Sequence, residues 1–170
     1  YPDEHERRMH EQFLAAGVAV AGIDVGEAYG GPGGRKGLTA LYEELVGRRG
    51  FAAKPCLLGR SRGGLWALSW AGEHLDQVAG VAGIYPAFDL RTYPGLEKAA
   101  PAYEMTAQQL ASELARQNPI EQAAGLAKAK IPVFLIHGAK DEVVPLRENS
   151  AELAAQYQAA GAEDLVNLKV

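Results

Sequence analysis

Short apolar runs, each closed by turn residues, alternate with stretches of helical periodicity along this 170-residue chain. That alternation confines it to a small set of folds. Four of the runs are Val18–Asp24, Pro55–Leu58, Val78–Ile84 and Ile131–His137, and a fifth, Leu165–Val170, runs to the last residue. Apolar runs without alternating polar residues fit strands covered on both faces, as in a parallel sheet. Helical patterns lie between them. Asp3–Ala16 carries Met9, Phe13 and Leu14 on one side and ends at Gly17. Leu38–Arg49 places Leu38, Leu41, Tyr42, Leu45 and Val46 on one stripe and stops at Gly50. Arg62–His74 follows the second run, and Leu146–Ala160 starts after Pro145 and ends at Gly161. The pattern predicts an α/β fold: a parallel sheet of about five strands with flanking helices and right-handed crossovers. The length fits one domain over residues 1–170. The one long excursion, Tyr85–Lys130, reads as a small helical insertion. It holds a capping box from Thr106 to Gln109 and a helix stop at Asn118-Pro119.

Composition removes several classes of function. Lys and Arg number 17 against 21 Asp and Glu, a net charge of -4 without a basic cluster, so no nucleic-acid partner is expected. No apolar run approaches the ~18 residues of a bilayer span, so no membrane partner is expected. The one cysteine, Cys56, excludes an internal disulfide framework and a Cys-based zinc site. No His, Asp and Glu cluster has metal-ligand spacing, and no cofactor is expected. Nothing reads as a signal peptide, which is compatible with a cytoplasmic protein. Gly30–Lys36 is superficially like a phosphate loop, but Arg35 stands where that pattern needs Gly and Gly37 where it needs Ser or Thr. Nothing in the sequence specifies an oligomeric state.

The strongest chemical signal is Gly59-Arg60-Ser61-Arg62-Gly63-Gly64, between a short strand and a helix. G-x-S-x-G in that context is a nucleophile elbow: the turn lifts the serine hydroxyl above the sheet edge. Gly59 and Gly63 are expected to leave room for the tight turn. The Arg62 backbone N–H would face a developing oxyanion at the positive end of the helix dipole. The second signal is Ile131–Gly138 followed by Asp141-Glu142-Val143-Val144-Pro145. It puts an acid just past a strand's C-terminal end, where parallel sheets place their sites. Asp141 is the candidate to orient a histidine, with Glu142 and Asp89 as rivals.

Together these residues resemble the α/β-hydrolase superfamily, in particular its esterase and prolyl-oligopeptidase-like branch. The resemblance rests on Gly59-x-Ser61-x-Gly63-Gly64 and on the strand-His137-Gly138-x-x-Asp141-x-x-Val144-Pro145 segment. It implies Ser61 as nucleophile, Asp141 as acid, residues 85–130 in the place of the family's cap, and the Gly26–Gly37 loop bordering the pocket. Tyr29, Arg60, Arg62, Tyr85 and Tyr93 are the candidates for the pocket wall. An Arg directly after the nucleophile also resembles glucuronoyl esterases. The alternative for Arg62 is pairing with a protein carboxylate such as Glu27 or Asp89.

One departure stands out. The family's order is Ser, Asp, His, and no histidine follows Asp141 in this sequence. His5, His10, His74 and His137 each read as structural or exposed. The family's early oxyanion strand also has no counterpart before the first run. The expectation is an internal segment of a hydrolase, with little activity as an isolated chain. Val18–Asp24 and Pro55–Leu58 would then lack their shared neighbour, leaving open strand edges. The expected function is hydrolysis of a small carboxylic ester through an acyl-enzyme. The alternatives are a prolyl-oligopeptidase-type peptidase and a non-catalytic fragment or degenerate paralogue.

Overall fold

The computed structural model describes residues 4–170. Four parallel strands form its sheet: β1 Cys56–Arg60, β2 Gly80–Ile84, β3 Val133–Ile136 and β4 Val166–Lys169, side by side in chain order. The helices are α1 Glu4–Ala15, α2 Pro32–Tyr42, α3 Gly63–Glu73, α4 Leu96–Ala99, α5 Ala107–Ser112, α6 Leu114–Gln117, α7 Ala123–Lys128 and α8 Glu152–Ala159. The α/β architecture expected from the alternation is present.

Register aligns the apolar positions into two rows across one face. Leu57, Val81, Val133 and Val166 form one, and Gly59, Gly83, Leu135 and Leu168 the next. Strand period two then sends Leu58, Phe134 and Ile136 to the opposite face. The first face carries the core: Leu68 and Trp70 of α3, Leu126 of α7, and Leu153 and Tyr157 of α8 pack on Val81, Val133 and Leu135. Buried aliphatic and aromatic side chains of this size contribute roughly 1.5–3 kcal/mol each. The Tyr157 hydroxyl sits inside this core because it donates to Ile131 O at 2.9 Å. On the opposite face Leu58, Phe134 and Ile136 remain 42, 43 and 47% exposed.

The sheet has four strands among the described residues, not five. Val18–Asp24 is irregular and exposed, with Val18, Val20 and Ile23 open to solvent. A strand exists only through its ladder, and β1 pairs with β2 alone. The other side of β1 has no strand paired to it among the described residues. The first helix spans Glu4–Ala15 and buries no residue, so Leu14 is exposed rather than packed. Asp3, its expected start, lies outside the described residues. The second helix begins earlier than its apolar stripe suggests, at Pro32. Proline is pre-set for a first helical turn, and half of the glycine-rich segment 26–37 is therefore helical. Between β2 and β3 the four short helices alternate with tighter turns, and both bonds of the Thr106–Gln109 capping box form.

One expected glycine role moves by a residue. A Cβ on Gly59 would stand 2.7 Å from Gly64 N and Cα, so that position is obligatory. A Cβ on Gly63 would meet nothing within 4 Å, whereas one on Gly64 would lie 2.6 Å from Ala87 O and 2.7 Å from Pro86 Cβ. It is Gly64 that lets α3 pass close to the chain leaving β2. Gly64→Ala should cost about 2–3 kcal/mol in urea unfolding, the cost of overpacking, while Gly63→Ala should cost nothing measurable. Equal losses at both positions would refute the close approach.

Candidate active site

Ser61 caps β1 and opens the turn into α3 with φ of 51°. A left-handed backbone costs a non-glycine residue about 1–2 kcal/mol, so three contacts must hold it. Ser61 N–H donates to Ile84 O at 3.0 Å, and its carbonyl accepts from Gly64 N at 3.0 Å and Ala87 N at 2.9 Å. The side chain is half-buried rather than enclosed. Arg62 N is taken up by none of the turn's backbone hydrogen bonds. It lies at the start of α3, where N–H groups are free to meet an anion.

Tyr29 and Tyr85 share the same backbone state, with φ of 42° and 37°. Strained non-glycine residues collect at functional sites because the surrounding fold must hold them there. Tyr85 directly follows β2 and donates its N–H to Ile136 O at 2.7 Å. The Arg60 guanidinium stands 5.9 Å from its ring centroid and pairs with Glu6 of α1 at 2.6 Å. Arg62 pairs with Glu27 at 2.6 Å, the protein-carboxylate alternative, and does not pair with Asp89. Tyr29 is buried, and its carbonyl accepts from the Tyr103 hydroxyl at 2.9 Å. Tyr93 is partly buried at the edge of the same apolar cluster, which holds Leu65, Leu90 and Val144.

Burial, with the Glu27 carboxylate beside it, pushes the Tyr29 phenol up to about 12, and burial raises Tyr103 likewise to about 12. Both phenols ionise near 10 in the unfolded chain. Their contribution to stability is complete below about pH 10 and is lost as pH rises towards about 12, because the unfolded state releases its protons first. Urea midpoints should fall across that window and fall less in Tyr103→Phe. A flat profile would contradict the burial.

Asp141 lies in the loop after β3, two strands over from β1, which leads into Ser61 at the same end of the sheet. Its Oδ1 accepts from Val143 N at 3.0 Å and Val144 N at 2.9 Å, leaving Oδ2 as the open acceptor. His137 Nε2 stands 3.8 Å from Oδ2 but donates to Val144 O at 2.8 Å, and its Nδ1 bonds Ser150 Oγ at 2.7 Å. The ring is fully buried and spent on these bonds. His74 Nδ1 bonds Trp70 O and its ring stacks on Trp70 at 4.2 Å, while His5 and His10 lie on α1. Neither His74 nor His137 joins Ser61 to Asp141. Glu142 is exposed. Asp89, the other rival acid, is buried and committed: Oδ1 accepts from Arg91 N, Arg91 Nε and Asn118 Nδ2, each at 2.9 Å. It is a structural carboxylate.

Asn149 was not singled out from sequence, and Asn118 was expected only as part of a helix stop, yet both tie together the segments around the site. Asn149 is completely buried. Its Oδ1 accepts from Phe88 N at 2.7 Å and Asp89 N at 3.0 Å, and its Nδ2 donates to Pro145 O at 2.8 Å and Thr92 Oγ1 at 3.2 Å. Asn118 Oδ1 accepts from Leu90 N at 2.9 Å. Asn149 thus ties the chain after β2, which carries Ala87 and so the Ser61 carbonyl, to the loop that carries Asp141. The available signal is a polar pair, Asn149-Ser150, on the same stripe as Leu146, Leu153 and Tyr157.

Residues 39–170 match the sequence profile of the Prolyl oligopeptidase family, Peptidase_S9. No curated protein sequence matches the chain. Among solved structures, MPT51 of Mycobacterium tuberculosis is similar at a TM-score of 0.61 and 18% identity, over 79% of this chain and 58% of that one. A puromycin hydrolase mutant complexed with PGG is similar at 0.58 and 17%, over 79% of this chain and 20% of that one. The monoacylglycerol lipase of Paleococcus ferrophilus is similar at 0.56 and 15%, over 97% of this chain and 77% of that one. The chain thus spans little more than half of MPT51 and a fifth of the puromycin hydrolase.

Proposed function

This chain belongs to the prolyl oligopeptidase family, within the α/β-hydrolase superfamily of serine hydrolases, and from that premise we propose that it cleaves carboxylic esters through an acyl-enzyme on Ser61. The observation that carries the reading is the left-handed Ser61 at the β1–α3 turn, half-exposed, with the Arg62 N–H uncommitted beside it. In the proposed reaction the Ser61 Oγ attacks the ester carbonyl carbon as its proton passes to a histidine. The Arg62 N–H stabilises the tetrahedral oxyanion. Collapse expels the alcohol with that proton, and water then hydrolyses the acyl-serine by the same route. Asp141 Oδ2 is the acceptor that would orient the histidine.

A serine hydroxyl without a base is a weak nucleophile at neutral pH. With His74 bonded to Trp70 O and His137 to Ser150 and Val144, the 170-residue chain by itself should turn over esters on the order of 10⁶ more slowly than a complete triad would. Peptide hydrolysis is the second reading, favoured by the family match. The short helices between β2 and β3 favour a small ester.

The test is a fluorophosphonate probe on the full-length protein, followed by p-nitrophenyl acetate against a prolyl-peptide substrate. Labelling at Ser61 with ester turnover supports the proposal. Labelling with turnover of the peptide alone replaces ester with peptide, and no labelling at all supports a non-catalytic chain.

A further inference from the structure

We propose that His137 is the positioning residue for Asp141, and that it acts through Val144 rather than by direct contact. The inference rests on the reading of Asp141 as the acid that orients the catalytic histidine.

His137 is the first residue after β3, and its backbone N–H donates to Lys169 O of β4 at 2.9 Å. The backbone that carries the ring is therefore tied to the sheet. Its Nε2 stands 3.8 Å from Asp141 Oδ2, beyond hydrogen-bond reach. The connection runs instead through one residue. His137 Nε2 donates to Val144 O at 2.8 Å, and Val144 N–H donates to Asp141 Oδ1 at 2.9 Å. Val144 is 1% exposed, so its carbonyl, if released, has no water to turn to. With the Val143 N–H on the same oxygen, this arrangement fixes Oδ1 and leaves Oδ2 open.

The partners dictate where the ring carries its hydrogen. A peptide carbonyl only accepts, so Nε2 must be the N–H of the neutral ring. Nδ1 is then the acceptor, and the buried Ser150 hydroxyl, 2.7 Å away, donates to it. Ser150 thereby selects the tautomer that the Val144 bond requires. It lies in the helical turn Arg147–Ala151 that leads into α8. Two adjacent residues of that turn thus hold two successive carbonyls at the end of the Asp141 loop. Asn149 takes Pro145 O directly, and Ser150 takes Val144 O by way of the ring. The side chains that mimic each nitrogen differ. Asn extends only as far as Nδ1, whereas Gln places its terminal nitrogen where Nε2 stands. The donor to Val144 can therefore be removed or kept while the site stays polar.

Two NMR measurements on the 170-residue chain test this without catalysis. In imidazole nitrogen spectra of the wild-type chain at neutral pH, His137 Nε2 should appear as the protonated nitrogen and Nδ1 as the acceptor. The opposite tautomer would overturn the inference, and this measurement needs no variant. Amide exchange then separates positioning from space-filling. His137→Asn should speed exchange at Val143 and Val144 about tenfold, the effect of one lost hydrogen bond, and His137→Gln should bring it back to within about threefold of wild type. Equal acceleration in both variants would overturn the inference. In the full-length protein His137→Asn should lower kcat for p-nitrophenyl acetate by about 10²-fold at nearly constant KM, with most of the loss recovered in His137→Gln. An unchanged kcat in His137→Asn would likewise overturn it. Should the wild-type protein turn over no ester, the Ser61 reading fails, and tautomer and exchange still decide the role of His137.

Discussion

Replacing Ser61 with Ala is expected to abolish fluorophosphonate labelling of the full-length protein and, on the proposed ester reaction, to lower turnover by about 10⁶-fold. The loss is chemical rather than structural, because the contacts that hold this turn come from the Ser61 backbone: its N–H on Ile84 O and its carbonyl on Gly64 N and Ala87 N. Alanine keeps all three. It also keeps the φ of 51°, so urea stability should change by less than about 0.5 kcal/mol. Ser61→Gly provides the complementary result. Glycine adopts this backbone without steric cost, so the variant should be equally inactive yet more stable by about 1 kcal/mol. A turn that gains stability on losing the Cβ at this position is one in which backbone strain is retained. Labelling that persists in Ser61→Ala would place the nucleophile elsewhere.

Asn149→Leu should lower unfolding stability by about 4 kcal/mol or more. Leucine matches the volume but satisfies nothing. It would strand the Phe88 and Asp89 N–H groups and the Pro145 carbonyl inside the core, each at roughly 1–3 kcal/mol. Asn149→Asp should be intermediate, since an oxygen can still accept both N–H groups but would face the Pro145 carbonyl with no hydrogen to offer. Urea denaturation followed by far-ultraviolet circular dichroism reads both. A loss under about 1 kcal/mol for Asn149→Leu would show that these segments are held by apolar packing instead. In the full-length protein the same change should loosen the Asp141 loop, because Asn149 holds Pro145 and Pro145 follows Val144, whose N–H fixes Asp141 Oδ1.

The elbow and the parallel sheet were legible because their requirements are local. Gly59 must lack a Cβ, an apolar run must precede it and a helix must follow, and all three are written within about fifteen residues. The position of Asp141 was legible for the same reason: it follows a strand, and its carboxylate folds back on the N–H groups of residues 143 and 144. Val18–Asp24 has the residues of a strand and is not one, since pairing is decided by what lies alongside, which a run of valines and alanines does not encode. Gly63 and Gly64 are indistinguishable in the motif, and only the passage of Pro86 and Ala87 beneath α3 tells them apart. Asn149 and Ser150 share a face with Leu153 and Tyr157, but their burial was not legible, because polar residues on a helix mostly face water.

The strands stand side by side in the order in which they occur along the chain. No strand has to be threaded between two that are already joined. As the ribosome extends the polypeptide, each new strand meets a finished neighbour whose free side is waiting, and the intervening helices close over it one crossover at a time. Such a layout suits assembly during translation, with no stage that depends on a distant, unsynthesised partner for the four strands themselves.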